Sequence, residues 1–196
     1  MLAARHAASP YKKWIKLIPK DRVVPFVQYA RAPDFTKVVV VVLDESARKT
    51  HLKLTPLVDP GTYRDPHEWI YLLVVDGDIV KIGGTRKGLR HRLDVSYGCG
   101  RCVEERGGSG KCSVTNAFVY NTLVFYAESG SKIEVYGRLL PPYHVAVPMF
   151  GTTVNIKAQV FHGIESTYMD DFRETYGFLP FMSENSDPTH RPARRP

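Results

Sequence analysis

The sequence predicts a mixed α/β (α+β) fold, a small mixed or antiparallel sheet flanked by helices and preceded by an N-terminal helical arm. Three observations predict it. Trp69–Val75 and Ile79–Ile82 are apolar runs separated by Asp76-Gly77-Asp78, and Asp-Gly between such runs is a strong hairpin signal. Lys37–Asp44 is unbroken and rich in β-branched residues, the pattern of a buried strand. Lys157–Tyr176 repeats Val160, Ile164, Tyr168 and Phe172 at four-residue spacing and is followed by Gly177, the pattern of an amphipathic helix with a glycine stop.

The remaining elements follow in chain order. Residues 1–36 carry Pro10, Pro19, Pro25 and Pro33 among several basic residues and read as one or two short helices plus loops. Within them, YKKWIKLI suits an amphipathic arm, or equally a helix packing one face on the body. Residues 45–66 are polar, contain Pro56, Pro60 and Gly61, and read as a connecting excursion. Gly83-Gly84 ends the second hairpin strand, and Arg86–Leu93 reads as a helix with Leu89 and Leu93 on its buried side. Residues 96–112 are glycine-rich loop. Ser113 or Thr115 caps a helix running to about Tyr126. Lys132–Leu139 is a strand, Pro141-Pro142 breaks it, and Tyr143–Val147 and Thr152–Ile156 are further strand pieces. Residues 183–196 are polar and proline-rich, the composition of a flexible tail.

A chain of 196 residues fits one domain with an embellishing arm. With 43% apolar residues it can build a core, and with 24% charged residues it matches a soluble globular protein. Its longest apolar runs are strand-length and its N-terminus lacks a secretory apolar core, so a cytoplasmic location and no membrane partner are expected. A net charge of +7 favours polyanionic partners, chiefly nucleic acid. Cys99, Cys102 and Cys112 are an odd set in a short window, which argues against a disulfide scaffold. Structural zinc wants four ligands, so these three read better as loop residues or reduced thiols, with His91 the candidate fourth ligand otherwise.

The hairpin holds the chemistry. Its strands lie roughly 5 Å apart, so Tyr71 in one and Lys81 in the other are near neighbours. An ordinary half-buried tyrosine and an exposed strand lysine would give the same pattern. The wider order narrows the reading. Trp69-Ile70-Tyr71, then about ten residues, then Lys81-Ile82-Gly83, then a basic helix with Arg92, resembles the GIY-YIG nuclease superfamily. A lysine stands where the second tyrosine is usual, and this is similar to a branch of type II restriction endonucleases with a KIG second motif. The likeness continues in S-Y-x-C-G at 96–100, in G-x-C-S-x-T-N-x-F-V at 110–119 and in a late helix bearing Glu165, and spans about residues 67–180.

The resemblance implies a nuclease core at 67–182, an N-terminal arm and strand at 1–66 that embraces DNA or forms a dimer, and a tail at 183–196. It implies a sequence-specific double-stranded DNA endonuclease with Mg²⁺, or alternatively Mn²⁺, acting as a homodimer and functionally paired with a DNA methyltransferase. Tyr71 is then the general base, Arg92 holds the scissile phosphate through its guanidinium fork, and Glu165 is the metal ligand. A tyrosine with a free pKa near 10 is a poor base at neutral pH, and an ammonium beside it favours the phenolate, which gives Lys81 its expected role. Arg86, Lys87, Arg90, His91, Arg101, Lys111 and Asn116 are the expected DNA contacts, mostly to phosphates, with segment 141–157 a further candidate for sequence readout. Relatives in that branch carry a histidine where this chain has Gly84, so the role of that histidine is open here, as is a catalytically impaired DNA-binding protein. A repair or homing nuclease would share the chemistry.

Overall fold

The computed structural model describes residues 17–44, 52–97 and 114–186. Its centre is a five-stranded, wholly antiparallel sheet in the order β2-β1-β5-β3-β4. The strands are β1 Thr36–Leu43, β2 Leu52–Pro56, β3 Trp69–Val75, β4 Asp78–Thr85 and β5 Ile133–Leu139. A separate two-stranded ribbon pairs β6 Tyr143–Met149 with β7 Thr152–Ala158. Helix α1 is Pro60–Arg64. Helix α2, Gly88–Arg90, runs on as a π-helical turn, His91–Tyr97. Helices α3 Val114–Glu128 and α4 Phe161–Tyr176 complete the fold, the latter stopped by Gly177 in the left-handed region. This is the mixed α+β architecture that the sequence predicts.

The sheet is covered on both faces, which explains why β3 and β4 are nearly all buried instead of alternating, and why β3 is apolar throughout. Tyr71, Leu73 and Val75 face one way and pack with Val119, Tyr120 and Leu123 of α3. Ile70, Leu72 and Val74 face the other and pack with Phe161, Tyr168 and Phe172 of α4. The N-terminal part supports this second core: Val24, Tyr29 and Phe35 are buried in it, and two 3-10 turns, Phe26–Gln28 and Ala32–Asp34, carry the chain across. Phe26 N donates to Gly77 O at 2.7 Å, tying this part to the hairpin turn. The first part of the arm, residues 1–16, lies outside the described residues.

Several boundaries differ from the sequence reading. The excursion at 45–66 contains an edge strand, β2, and a short helix whose Asp59 accepts from Thr62 N at 2.9 Å. The glycine pair does not end β4, which continues to Thr85. Residue 183 is not tail: Ser183 is buried, its hydroxyl bonds Ile82 N and O at 3.0 Å each, and the 3-10 segment Phe181–Ser186 lies along edge strand β4. No helix among the described residues is long and apolar enough to cross a membrane.

Candidate functional site

The hairpin turn is the two residues Asp76 and Gly77, with φ 51 and 91, a left-handed pair that Asp and Gly tolerate. Regular pairing from such a turn would set Lys81 opposite Leu72, on the face away from Tyr71. A bulge between Leu73 and Val74 adds one residue to β4 and pairs Lys81 with Leu73 and Gly83 with Tyr71. A single irregularity thus brings Lys81 onto the tyrosine's face.

On that face Tyr71 is fully buried, and Arg92 Nε donates to its hydroxyl at 2.9 Å. The hydroxyl of Tyr97 lies 2.8 Å from that of Tyr71, and the Arg92 guanidinium sits 4.7 Å from the Tyr97 ring centroid. Arg92 and Tyr97 both come from the π-helical turn, five residues apart, where the wider turn sets them on one side. Burial pushes the Tyr71 hydroxyl above its usual pKa, with the Arg92 charge and the Tyr97 hydrogen bond pulling against it. Burial likewise raises Tyr97 well above its usual value. Burial acts to lower Arg92, but the two phenols and Glu165 outweigh it and hold the guanidinium firmly charged.

The expected pairing of Lys81 with Tyr71 needs correction. Lys81 Nζ donates to Met182 O at 3.0 Å, and the cation on the phenol oxygen is Arg92. Burial first, and the Arg92 charge second, bring the Lys81 pKa down to about 8, with Glu165 opposing. The net direction for Tyr71 is upward, not the downward shift anticipated from an adjacent ammonium.

The glycine pair explains how Tyr71 and Glu165 each come close to β4. A Cβ on Gly83 would stand 2.4 Å from the Tyr71 hydroxyl, and a Cβ on Gly84 would stand 2.9 Å from Glu165 Oε2 and 2.7 Å from Phe161 Cδ2. Successive strand residues face opposite ways, so the phenol approaches β4 from one side and the carboxylate from the other. Two bare residues leave both side chains room. The space for a histidine at position 84 is filled by Glu165 and Phe161 in this chain. Helix α4, which carries Glu165, is fixed at its start by Glu68, whose Oε2 accepts from Val160 N at 3.0 Å and Phe161 N at 3.1 Å. That carboxylate satisfies two amides of the helix N-terminus and suits its positive end.

A cleft of about 670 Å³ opens beside these groups. Arg92, Glu165, Gly84, Thr85, His162 and Ser166 line it, together with Arg86, Lys87 and His91. Arg86, Lys87 and His91 are exposed, and Arg86 Nη1 donates to Gln159 Oε1 at 2.8 Å. Arg90 does not line the cleft; it is exposed with its Nε 3.9 Å from Asp94. Asn116 is half-buried on the first turn of α3, also away from the cleft lining. Arg101, Lys111 and the three cysteines lie outside the described residues. Among the described residues no three His, Cys, Asp or Glu side chains cluster as a metal cage. The Glu165 side chain is 18% exposed, with His162 Nδ1 3.9 Å away. One open carboxylate fits Mg²⁺, which keeps waters and substrate phosphate oxygens as its other ligands.

Tyr97 and Glu68 were missed as functional candidates. Tyr97 stands inside the S-Y-x-C-G stretch, so its signal was present without a role attached, whereas a lone glutamate before a strand gives no signal.

No family model and no curated protein matches the sequence. Among solved structures, the restriction endonuclease HPY188I in complex with product DNA superposes with a TM-score of 0.53, at 20% identity over 88% of this chain and 89% of that one. A mutant of bacteriophage T4 EndoII superposes with a TM-score of 0.49, at 18% identity over 76% of this chain and 95% of that one. Likeness at these identities establishes architecture alone. The assignment to the GIY-YIG superfamily and its KIG branch is therefore corrected: no family model supports it, and a structural likeness at 20% identity does not decide it.

Proposed function

We propose that this chain is a metal-dependent endonuclease of double-stranded DNA, acting at a specific site in the manner of a type II restriction enzyme. The observation that carries the reading is the Arg92–Tyr71 hydrogen bond at 2.9 Å beside a carboxylate that shares the cleft with Arg92. Phosphodiester hydrolysis needs a base for the water, a cation on the phosphate and a site for a metal, and these three side chains are of the right kinds. The shared architecture with a restriction endonuclease bound to product DNA supports it. Arg86, Lys87 and His91 at the cleft rim suit phosphate contacts. Arg90, Arg101, Lys111 and Asn116 are further candidate DNA contacts.

In this reading Arg92 turns from the phenol oxygen to the scissile phosphate as DNA enters, and its fork takes two phosphate oxygens. Tyr71 acts in the fraction that has already lost its own proton to solvent: the phenolate, with the Tyr97 hydroxyl donating to it, accepts a proton from the attacking water. Lys81 keeps positive charge behind the site and Met182 in position. Glu165 would hold Mg²⁺, or Mn²⁺ in its place, which when bound would supply charge stabilisation at the phosphate. Each chain carries one such site, so cutting both strands calls for two copies related by a two-fold axis. A cytoplasmic setting and a partner methyltransferase belong to this reading.

The complete burial of Tyr71 favours one rival, a DNA-binding protein that has lost catalysis. Incubating purified protein with plasmid and Mg²⁺ separates the two. Discrete fragments that vanish with EDTA support the nuclease; intact plasmid alongside salt-sensitive DNA binding supports the rival.

A further inference from the structure

Strands β6 and β7 make a ribbon in which no residue is buried. Its register places Tyr143, Val145, Val147 and Met149 across from Ala158, Ile156, Val154 and Thr152 on one face, and His144, Ala146 and Pro148 across from Lys157, Asn155 and Thr153 on the other. The first face is apolar apart from the hydroxyls of Tyr143 and Thr152 at its two ends and carries no charge. Tyr143 is 57% exposed, Val145, Met149, Val154 and Ile156 are each near two-fifths exposed, and Phe150 at the tip is 98% exposed. An isolated two-stranded hairpin is marginal in water, and an apolar face of this extent on a monomer marks a contact surface.

We propose that a second copy of this chain covers that face, the two ribbons packing apolar side to apolar side about a two-fold axis. Absence of charge argues against duplex DNA as the occupant, since phosphate contact needs basic residues and the ribbon's Lys157 and His144 lie on the opposite face. A surface with no charge pattern is complementary to itself, as a two-fold interface requires. The exposed side chains leave on the order of 500 Å² of apolar surface per copy, taking roughly 200 Å² for a whole aromatic side chain. Two copies would then bury about 1,000 Å², the size at which specific interfaces begin. The inference deepens the two-copy nuclease by naming its joint, and rests on that reading only for the need of a pair. The test reads mass, so the two can fail separately.

Sedimentation velocity of the full chain in EDTA without DNA should give twice the 22.1 kDa chain mass at tens of micromolar. The double variant Val154→Asp, Ile156→Asp should weaken dimerisation roughly a hundredfold or more, because it buries charges without partners. Asn155→Ala, on the polar face, should leave the dimer intact. Should the double variant fail to fold, hydrogen exchange on the natural chain serves instead: amides at 143–158 should gain protection as concentration rises. A monomer at tens of micromolar, a double variant that still dimerises, or ribbon protection that responds to duplex DNA and not to concentration would each overturn the proposal.

Discussion

The chain builds two hairpins on the same turn geometry, and they end in opposite environments. Asp76-Gly77 and Phe150-Gly151 both place two residues in the left-handed region, with φ 51 and 91 in one and 50 and 76 in the other. The first hairpin is sealed between two helices with β3 wholly buried, while every residue of the second is exposed or half-exposed. Turn chemistry therefore fixes that a ribbon forms and says nothing of what covers it. Flanking sequence decides that. The first ribbon sits between β5 and the sheet edge with α3 and α4 on its faces, and the second is set off by Pro141-Pro142. The turns also differ in strain: Asp adopts positive φ readily, whereas a bulky Phe does not. Holding Phe150 there is consistent with a ribbon whose shape matters beyond its own stability.

The sharpest way to break this contrast is to place the same charge in both ribbons. Val74→Asp puts a carboxylate in a position 1% exposed and should remove more than about 4 kcal/mol, leaving the chain unfolded by circular dichroism. Val145→Asp, at a position 40% exposed, should change monomer stability by less than about 0.5 kcal/mol in dilute urea titrations. Equal losses would mean that the second ribbon is part of the core.

Tyr71→Phe should lower cleavage about 10²- to 10⁴-fold, the range for a lost general base, while specific DNA binding persists. In the natural protein, the raised phenol pKa predicts a rate that climbs with pH through the alkaline range without a neutral plateau. Normal cutting by the variant would remove the tyrosine from the mechanism.

Lys81 supplies a stability test independent of catalysis. Its folded pKa near 8 lies below the usual 10.5, so between these values the unfolded chain holds a proton that the folded chain has released. Stability therefore rises with pH across that window, by up to roughly 3 kcal/mol, and below about pH 8 this gain is absent. Unfolding curves of the natural chain and Lys81→Met should diverge across pH 8–10.5 in favour of the natural chain; parallel curves would place the ammonium in water. Smaller still, Gly83→Ala forces a methyl 2.4 Å from the Tyr71 hydroxyl and should cost about 1–3 kcal/mol and displace the phenol, read as a lower unfolding midpoint with reduced cleavage.

Much of this was legible in the sequence because it depends on local rules. Asp-Gly marked the first turn, and four-residue spacing with Gly177 marked α4 to within a turn at its start and to the residue at its end. What escaped depends on non-local packing. The bulge that moves Lys81 to the Tyr71 face leaves no trace in period-two patterning, because β4 is buried on both faces and its partner β3 is apolar throughout. The π-helical widening that joins Arg92 to Tyr97 has no propensity signal, so a regular helix was read instead. Likewise the partner of Lys81 is a main-chain carbonyl a hundred residues on, which no residue type announces. The glycine pair read as a strand end because glycine usually weakens strands; here it admits two side chains from opposite sides.

That distant carbonyl has a consequence for how the molecule matures. Met182 O and the Ser183 hydroxyl meet β4 at Lys81 and Ile82, a sequence separation of 101 in each bond. During synthesis β3 and β4 leave the ribosome long before this clasp is made. Lys81 must wait with its amine unheld, and edge strand β4 stays uncovered, until almost the whole chain has emerged. A nascent polypeptide therefore carries every side chain of the cleft before it carries the latch that sets Lys81.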